Sequence, residues 1–356
     1  MSYSTYTYQQ PFRLESGAIL PGYELAYTTH GTLNETGDNA VWIFHALTAN
    51  SDPGEWWPGL IGKNKLFDPA RHFIVCVNMP GSCYGSIGPL SQNPVTGNSY
   101  FHDFPFFTTR DMIRSYQPLR IHLGIEKILI GIGGSMGGQQ LLEWAVEEPD
   151  LFEYIFPIAT NAQHSPWGIA FNEAQRMSIE ADTSWTEKHA LAGATGMKAA
   201  RATALISYRH YDTYLHAQPR SNGFPFENGW DGAASYQRYQ GEKLAARFNA
   251  FSYYVLSQSM DAHSIGRGRS NLEQVLAKIR ARTLVIGIES DILFPISEQQ
   301  FLAAYIPGAK LEIIASNYGH DGFLLEFDAI SRLISHFIQE EKSVLTIESI
   351  NSYGNT

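Results

Sequence analysis

Residues 128–138 read Ile-Leu-Ile-Gly-Ile-Gly-Gly-Ser-Met-Gly-Gly. An apolar run, Ile128 to Ile132, leads into the motif Gly133-Gly134-Ser135-Met136-Gly137-Gly138, and a helix-like run, Gln139 to Glu148, leads out. A Gly-x-Ser-x-Gly pattern at a strand-to-helix junction has a steric logic. A sharp turn forces the serine into a strained backbone conformation, and neighbours without Cβ atoms let strand and helix pass closely. The serine hydroxyl then stands at the sheet edge and at a helix N-terminus, where developing negative charge is favoured.

Outward from this junction, strands and helices alternate. Val41–Phe44, Phe73–Val77, Ile128–Ile132 and Tyr154–Ala159 read as buried strands. Thr108 or Thr109 is placed to cap a helix carrying Met112, Ile113, Leu119 and Leu123, which Pro118 is expected to kink or interrupt. Such alternation predicts a doubly wound sheet of mostly parallel strands. From about Asn161 to Lys278 the pattern is mostly helical, with Trp167, Trp185 and Trp230, and Ser221-Asn222-Gly223-Phe224-Pro225 breaks it. The alternation resumes with strand Thr283–Ile288, helix Ser297–Ala304, strand Lys310–Ala315 and helix Asp328–Glu340. The expected fold is the α/β-hydrolase fold, with a core of residues 1–160 and 279–356 and an inserted helical lid of residues 161–278. Residues 1–10 read as a loosely held polar end, residues 342–356 as a largely polar tail, and Phe12–Thr29 as two antiparallel edge strands.

The chain has 356 residues, a formal net charge of −10 and two cysteines, Cys76 and Cys83. The acidic balance argues against a nucleic-acid partner. Two cysteines exclude a disulfide framework and fit a reducing compartment. No apolar run reaches the roughly 18 residues of a membrane helix, and no signal-peptide core is visible, so no membrane partner and a cytoplasmic location are expected. Without a CxxC pair or an HExxH motif, no metal site is expected.

A serine hydroxyl needs a histidine base, and the histidine an acid to hold its tautomer. In this fold their chain order is serine, acid, histidine. After the strand Thr283–Ile288 stand Glu289 and Asp291, and Asp291 sits in a turn with room to reach across. After the next strand come His320, in the loop Asn317-Tyr318-Gly319-His320-Asp321-Gly322, and His336, in a helix. The predicted triad is Ser135, Asp291 and His320. The oxyanion hole is expected from the amides of Met136 and of Leu47, in the loop His45-Ala46-Leu47-Thr48.

These segments resemble the homoserine O-acetyltransferase family, the acyl-CoA-dependent branch of the α/β-hydrolases. The resemblance rests on the elbow with Glu143-Trp144 and on His45-Ala46-Leu47-Thr48, Cys83-Tyr84-Gly85-Ser86, Gly88-Pro89 and Thr109-Arg110-Asp111-Met112. It also rests on Phe171-Asn172-Glu173, Ala200-Arg201, Tyr208-Arg209, Gly266-Arg267-Gly268-Arg269, Phe294-Pro295 and Gly319-His320-Asp321-Gly322. The resemblance implies ping-pong transfer of an acetyl group from acetyl-CoA, a co-substrate and not a resident cofactor, to L-homoserine on the route to methionine. It implies that Arg201, Tyr208 and Asp321 hold the amino acid, with Thr48 near the same pocket, and that the enzyme is a homodimer. The loop departs from the family at Ala49-Asn50, where glycine is expected. Rivals with the same triad are a homoserine O-succinyltransferase, a serine O-acyltransferase and an esterase.

Overall fold

A computed structural model describes residues 3–218 and 232–353, with side chains through 343. The expected break at Ser221–Pro225, and Trp230, lie outside the described residues. Eight strands form one sheet in the order β1 (Ser4–Tyr8), β4 (Tyr23–His30), β6 (Phe73–Val77), β5 (Ala40–Phe44), β7 (Ile128–Gly134), β8 (Phe152–Ile158), β9 (Arg282–Ile288), β10 (Lys310–Ile314). From β6 to β10 every neighbour pair is parallel, while β1 and β4 join antiparallel. β2 (Phe12–Arg13) and β3 (Ile19–Leu20) form a separate ribbon, so of the edge segments expected in Phe12–Thr29 only β4 enters the sheet.

Strand alternation builds two apolar layers. Trp42, Phe44, Val75 and Val77 face one side, against Met112, Ile113, Tyr116 and Leu119 of α2 (Thr109–His122) and Leu141, Leu142 and Trp144 of α3 (Met136–Glu147). Val41, Ile43, Ile74, Cys76, Ile130 and Ile132 face the other, against Ile330, Ile334 and Phe337 of α12 (Phe327–Tyr353) and Trp57. Trp144 stands edge-on to Trp42 at 5.0 Å and to Phe44 at 6.0 Å, locking α3 to β5. Trp57, just after α1 (Pro53–Trp56), donates its indole N–H to the Phe323 carbonyl at 2.9 Å.

Three expectations are corrected. Residues 4–8 are not loose: they form β1, with Tyr8 stacked on Tyr23 at 4.9 Å and Tyr6 against His122 at 5.1 Å. Pro118 does not interrupt α2, which runs unbroken from Thr109 under the Thr108–Asp111 capping box; buried Tyr116 and Leu119 hold both sides of the proline in place. Residues 342–353 continue α12 instead of forming a polar tail.

Between β8 and β9 lie α4 (Pro166–Glu180), α5 (Ala194–Tyr208), α6 (Tyr211–Ala217), α7 (Gly232–Ala245), α8 (Ala250–Asp261) and α9 (Leu272–Leu276). The remaining elements are α10 (Ile296–Tyr305) and the short α11 (Gly322–Leu325). A buried ionic network roots the returning end of the insertion on the core. Arg110 bridges Glu15 and Glu143 at 2.6 Å each, Arg269 reaches Glu143 and Glu147 at 2.6 and 2.5 Å, and Arg267 reaches Glu15 at 2.6 Å. Among the described residues no helix is long and apolar enough to cross a membrane.

Buried histidines tie loops together in their neutral form. His45 Nδ1 donates to the Ala46 carbonyl at 2.9 Å, so its bare Nε2 accepts the Met79 amide at 3.1 Å, stitching the loop after β5 to the loop after β6. His263 accepts from Thr109 Oγ1 at 3.0 Å and donates to the Asn161 carbonyl at 3.2 Å. Burial pushes His45 and His164 down to about 4 and His263 down to about 3.

Two predictions follow from this architecture. A Cβ on Gly137 would lie 2.1 Å from the Phe44 carbonyl oxygen, so Gly137→Ala should lose about 2 kcal/mol or more in urea unfolding. The second concerns pH. Unfolded histidines take up protons below about pH 6.5, whereas the folded ones stay neutral until about pH 4, so the unfolded state binds more protons in that window and stability falls as pH drops through it. Unfolding free energy measured across that window should show this slope, and His263→Gln should flatten it; an unchanged slope would count against the assignment.

Candidate active site

The parallel strands deliver every candidate residue to one edge of the sheet. Phe44 pairs with Gly133, Gly134 with Ile158, and Ile288 with Ile314, so the loops after β5, β7, β9 and β10 leave at the same, C-terminal, edge. Ser135 takes φ 56° and ψ −127° between β7 and α3, the left-handed strain expected of the elbow. Its carbonyl accepts from Thr160 Oγ1 at 2.8 Å and its amide donates to the Ile158 carbonyl at 3.0 Å. A Cβ on Gly133 would fall 2.5 Å from the Gly137 carbonyl, so the turn closes only without one.

Asp291 is buried in the turn after β9. Its Oδ1 accepts the amides of Leu293 and Phe294 at 2.8 and 2.9 Å, which leaves Oδ2 for His320 Nδ1 at 2.6 Å. A carboxylate on Nδ1 makes that nitrogen the donor, and the neutral ring then offers Nε2 as a base. The ring is stacked on Phe294 at 5.1 Å and flanked by Phe323 at 5.1 Å and Tyr208 at 5.7 Å. Glu289, the other acid after β9, is exposed and lines a different depression with Asp212 and His216. His336 is on the exposed face of α12, 3.5 Å from Glu340.

Ser135 and His320 line one cavity of about 470 Å³, together with Leu47, Thr48, Arg201, Tyr208 and Asp321. Met136 is fully buried beneath Ser135 as the first residue of α3. Neither the Leu47 nor the Met136 amide donates to another described residue. Thus the predicted triad, the two expected oxyanion-hole residues and Thr48, Arg201, Tyr208 and Asp321 gather here, Asp291 and Met136 from behind the cavity wall, whereas Glu289 and His336 do not.

The charges on the wall are ordered. The Arg201 guanidinium lies over the Tyr208 ring, 5.5 Å from its centre. Asp321 precedes α11 but makes no side-chain cap bond; it faces Arg209 Nε at 3.0 Å. Burial raises the Asp321 carboxyl, opposed by the positive charges of Arg209 and Arg201. Burial also raises the Tyr208 hydroxyl. The ion pair to Arg209 was not expected from the sequence, although the dipeptide Tyr208-Arg209 was singled out. Nor was Arg247, whose Nη1 donates to the Thr48 carbonyl at 2.6 Å, or Lys243 on the same wall. Their signal in the sequence is only that they stand four residues apart near the end of a helix.

Residues 39–327 match the alpha/beta hydrolase fold family. The homoserine O-acetyltransferase of Cyclobacterium marinum is 47% identical over 334 residues, covering 93% of this chain and 94% of that protein. That of Trichormus variabilis is 44% identical over 332 residues, covering 92% of each. Among solved structures, the homoserine O-acetyltransferase from Bacillus anthracis superposes with a TM-score of 0.87 at 24% identity, covering 94% of this chain and 97% of that one. Esterase E22 superposes with a TM-score of 0.84 at 22% identity, covering 94% of this chain and 100% of that one. These two structural likenesses carry the fold alone, and the sequence relatives carry the rest: the chain belongs to the homoserine O-acetyltransferase family of the alpha/beta hydrolases.

Proposed function

We propose that this enzyme transfers an acetyl group from acetyl-CoA to the hydroxyl of L-homoserine through an acetyl-serine intermediate, a step of methionine biosynthesis. The observation that carries the reading is one cavity lined by Ser135, by His320 with Asp291 behind it, and by the oppositely charged Arg201 and Asp321. The names of the curated relatives support the same acceptor and acyl group.

In the first half-reaction Ser135 Oγ attacks the thioester carbonyl while His320 Nε2 takes its proton. The oxyanion forms against the amides of Leu47 and Met136, at the positive end of α3. Collapse breaks the C–S bond, His320 returns the proton to the sulfur, and the acetyl group stays on Ser135. In the second half His320 takes the proton of the homoserine hydroxyl, which attacks the acetyl-serine. The same oxyanion site serves again, and the proton returns to Ser135 Oγ. Asp291 stays ionised and holds the imidazole in register.

An amino-acid acceptor is a zwitterion. Arg201 pairs with its carboxylate and Asp321 with its ammonium, while Tyr208 fixes Arg201 from below and Thr48 borders the pocket. The inserted helices, residues 161–278, act as the lid that keeps water from the acetyl-serine. The enzyme works in the cytoplasm as a homodimer.

A hydrolytic reading would use the same triad with water as acceptor, and the esterases among the structural neighbours, at 22–23% identity, share with this chain the fold alone. A bare esterase has no use for a zwitterion clamp. Coenzyme A release separates the readings. Acetyl-CoA or succinyl-CoA is supplied with L-homoserine, L-serine or no acceptor, and release with acetyl-CoA and homoserine alone is the expected result. Equal release without acceptor would make the protein a hydrolase, and a succinyl or serine preference would change the substrate but not the chemistry.

Two variants test the residue roles. Ser135→Ala should cut transfer about 10⁴-fold or more and abolish the mass increase of one acetyl group that wild type gains from acetyl-CoA alone. Asp321→Asn should raise the KM for homoserine about 10- to 100-fold while leaving that acetylation intact. Loss of acetylation as well would show that Asp321 supports His320 and not the acceptor.

A further inference from the structure

The cavity wall carries a second charged group that the transfer chemistry does not use. Lys243 lies in the last turn of α7 and Arg247 four residues on, and both side chains are exposed to the cavity that Ser135 lines. Arg247 is held there from two sides. Its Nη1 donates to the Thr48 carbonyl at 2.6 Å and to the Tyr84 hydroxyl, which stands edge-on to Phe248 at 5.7 Å. Among the described residues neither cation has a carboxylate within 4.0 Å. Three acids stand near but are engaged elsewhere: Glu242 takes Lys198 at 2.8 Å, Glu55 accepts from Asn50 Nδ2 at 2.9 Å, and Asp321, on the same wall, faces Arg209 at 3.0 Å.

Two cations left without acids beside a nucleophile are unexpected in a chain of formal net charge −10. A guanidinium pinned by neutral oxygens keeps its charge and its remaining donors for something else. A small carboxylate does not account for them, because Arg201 already offers the guanidinium that an amino acid needs. Two like charges one helical turn apart, beside the place where a thioester must reach Ser135, match a polyanion joined to that thioester.

We propose that Lys243 and Arg247 are the residues that bind the phosphates of the acyl donor. The inference rests on the acyl-transfer reading for its choice of ligand, but its test does not depend on turnover. Coenzyme A and pantetheine share the thiol arm and differ in the phosphates and nucleoside. Titration calorimetry of the full chain should give Kd values for coenzyme A about tenfold weaker in Lys243→Met and in Arg247→Gln, with pantetheine binding unchanged. Added salt should weaken coenzyme A binding in wild type more than in either variant. The Lys243 side chain makes no hydrogen bond or ion pair to another described residue, so Lys243→Met removes the charge without breaking such a bond. Equal weakening of both ligands, or unchanged coenzyme A binding in both variants, would overturn the inference. A wild type that binds coenzyme A through these cations yet transfers nothing would overturn the proposed function and leave the inference standing. A wild type that transfers acetyl groups while both variants bind coenzyme A as tightly as it does would do the reverse.

Discussion

The approach of Gly137 to the Phe44 carbonyl, where no Cβ fits, is the constraint on which the site depends. It lets α3 begin directly against the end of β5. The loop that follows Phe44 therefore cannot be anywhere but beside Ser135, which is why Leu47 and Ser135 share a cavity wall. The strain at Ser135 is held by bonds to both of its backbone polar groups and by Trp144 clamped on β5. His45 adds a second fastening, since its ring ties the loop after β5 to Met79. The positions of the Leu47 and Met136 amides are thus a packing result, set by a close backbone approach and fastened by the Trp144 and His45 rings.

Legibility followed the range of the interaction. The elbow, the buried strands and the serine–acid–histidine order are written in local pattern and in chain order, and Asp291 could be preferred over Glu289 because a turn residue reaches farther than one leaving the strand. β1 was missed because Ser4–Tyr8 carries no aliphatic side chain, and its aromatic alternation gains meaning only once Tyr23 and His122 stand opposite. Pro118 misled because a lost hydrogen bond was weighed without the buried Tyr116 and Leu119 on either side. Arg209 and Arg247 were invisible as wall residues because their partners, Asp321 and Thr48, lie 112 and 199 positions away in the chain.

The electrostatics of the site and of its support differ in kind. Around the cavity, charges stand at the surface of the wall: Arg201, Lys243 and Arg247 against Asp321 and Glu55. Behind it, His45, His164 and His263 are kept neutral by burial, and the Arg110–Glu143–Arg269 network is closed on itself. The first group is arranged to meet a ligand, the second to hold backbone. A buried pair such as Arg110–Glu143 contributes little net stability, but breaking one half would leave a stranded charge, which fixes where the insertion returns to the core.

The turn bearing His320 is pressed against the end of α5. A Cβ on Gly319 would lie 2.9 Å from both the Tyr208 carbonyl and the His210 amide, and Asp321 is paired with Arg209 across the same seam. In the roles proposed for Arg201 and His320, the helix that offers an arginine to the acceptor is therefore also the abutment of the base. For the lineage that carries this chain, the two properties are not separately heritable. A substitution that re-tilts α5 to admit a different molecule also moves the imidazole, so drift in acceptor choice is filtered by its effect on proton transfer. Diversification has an easier route on walls that the base does not touch.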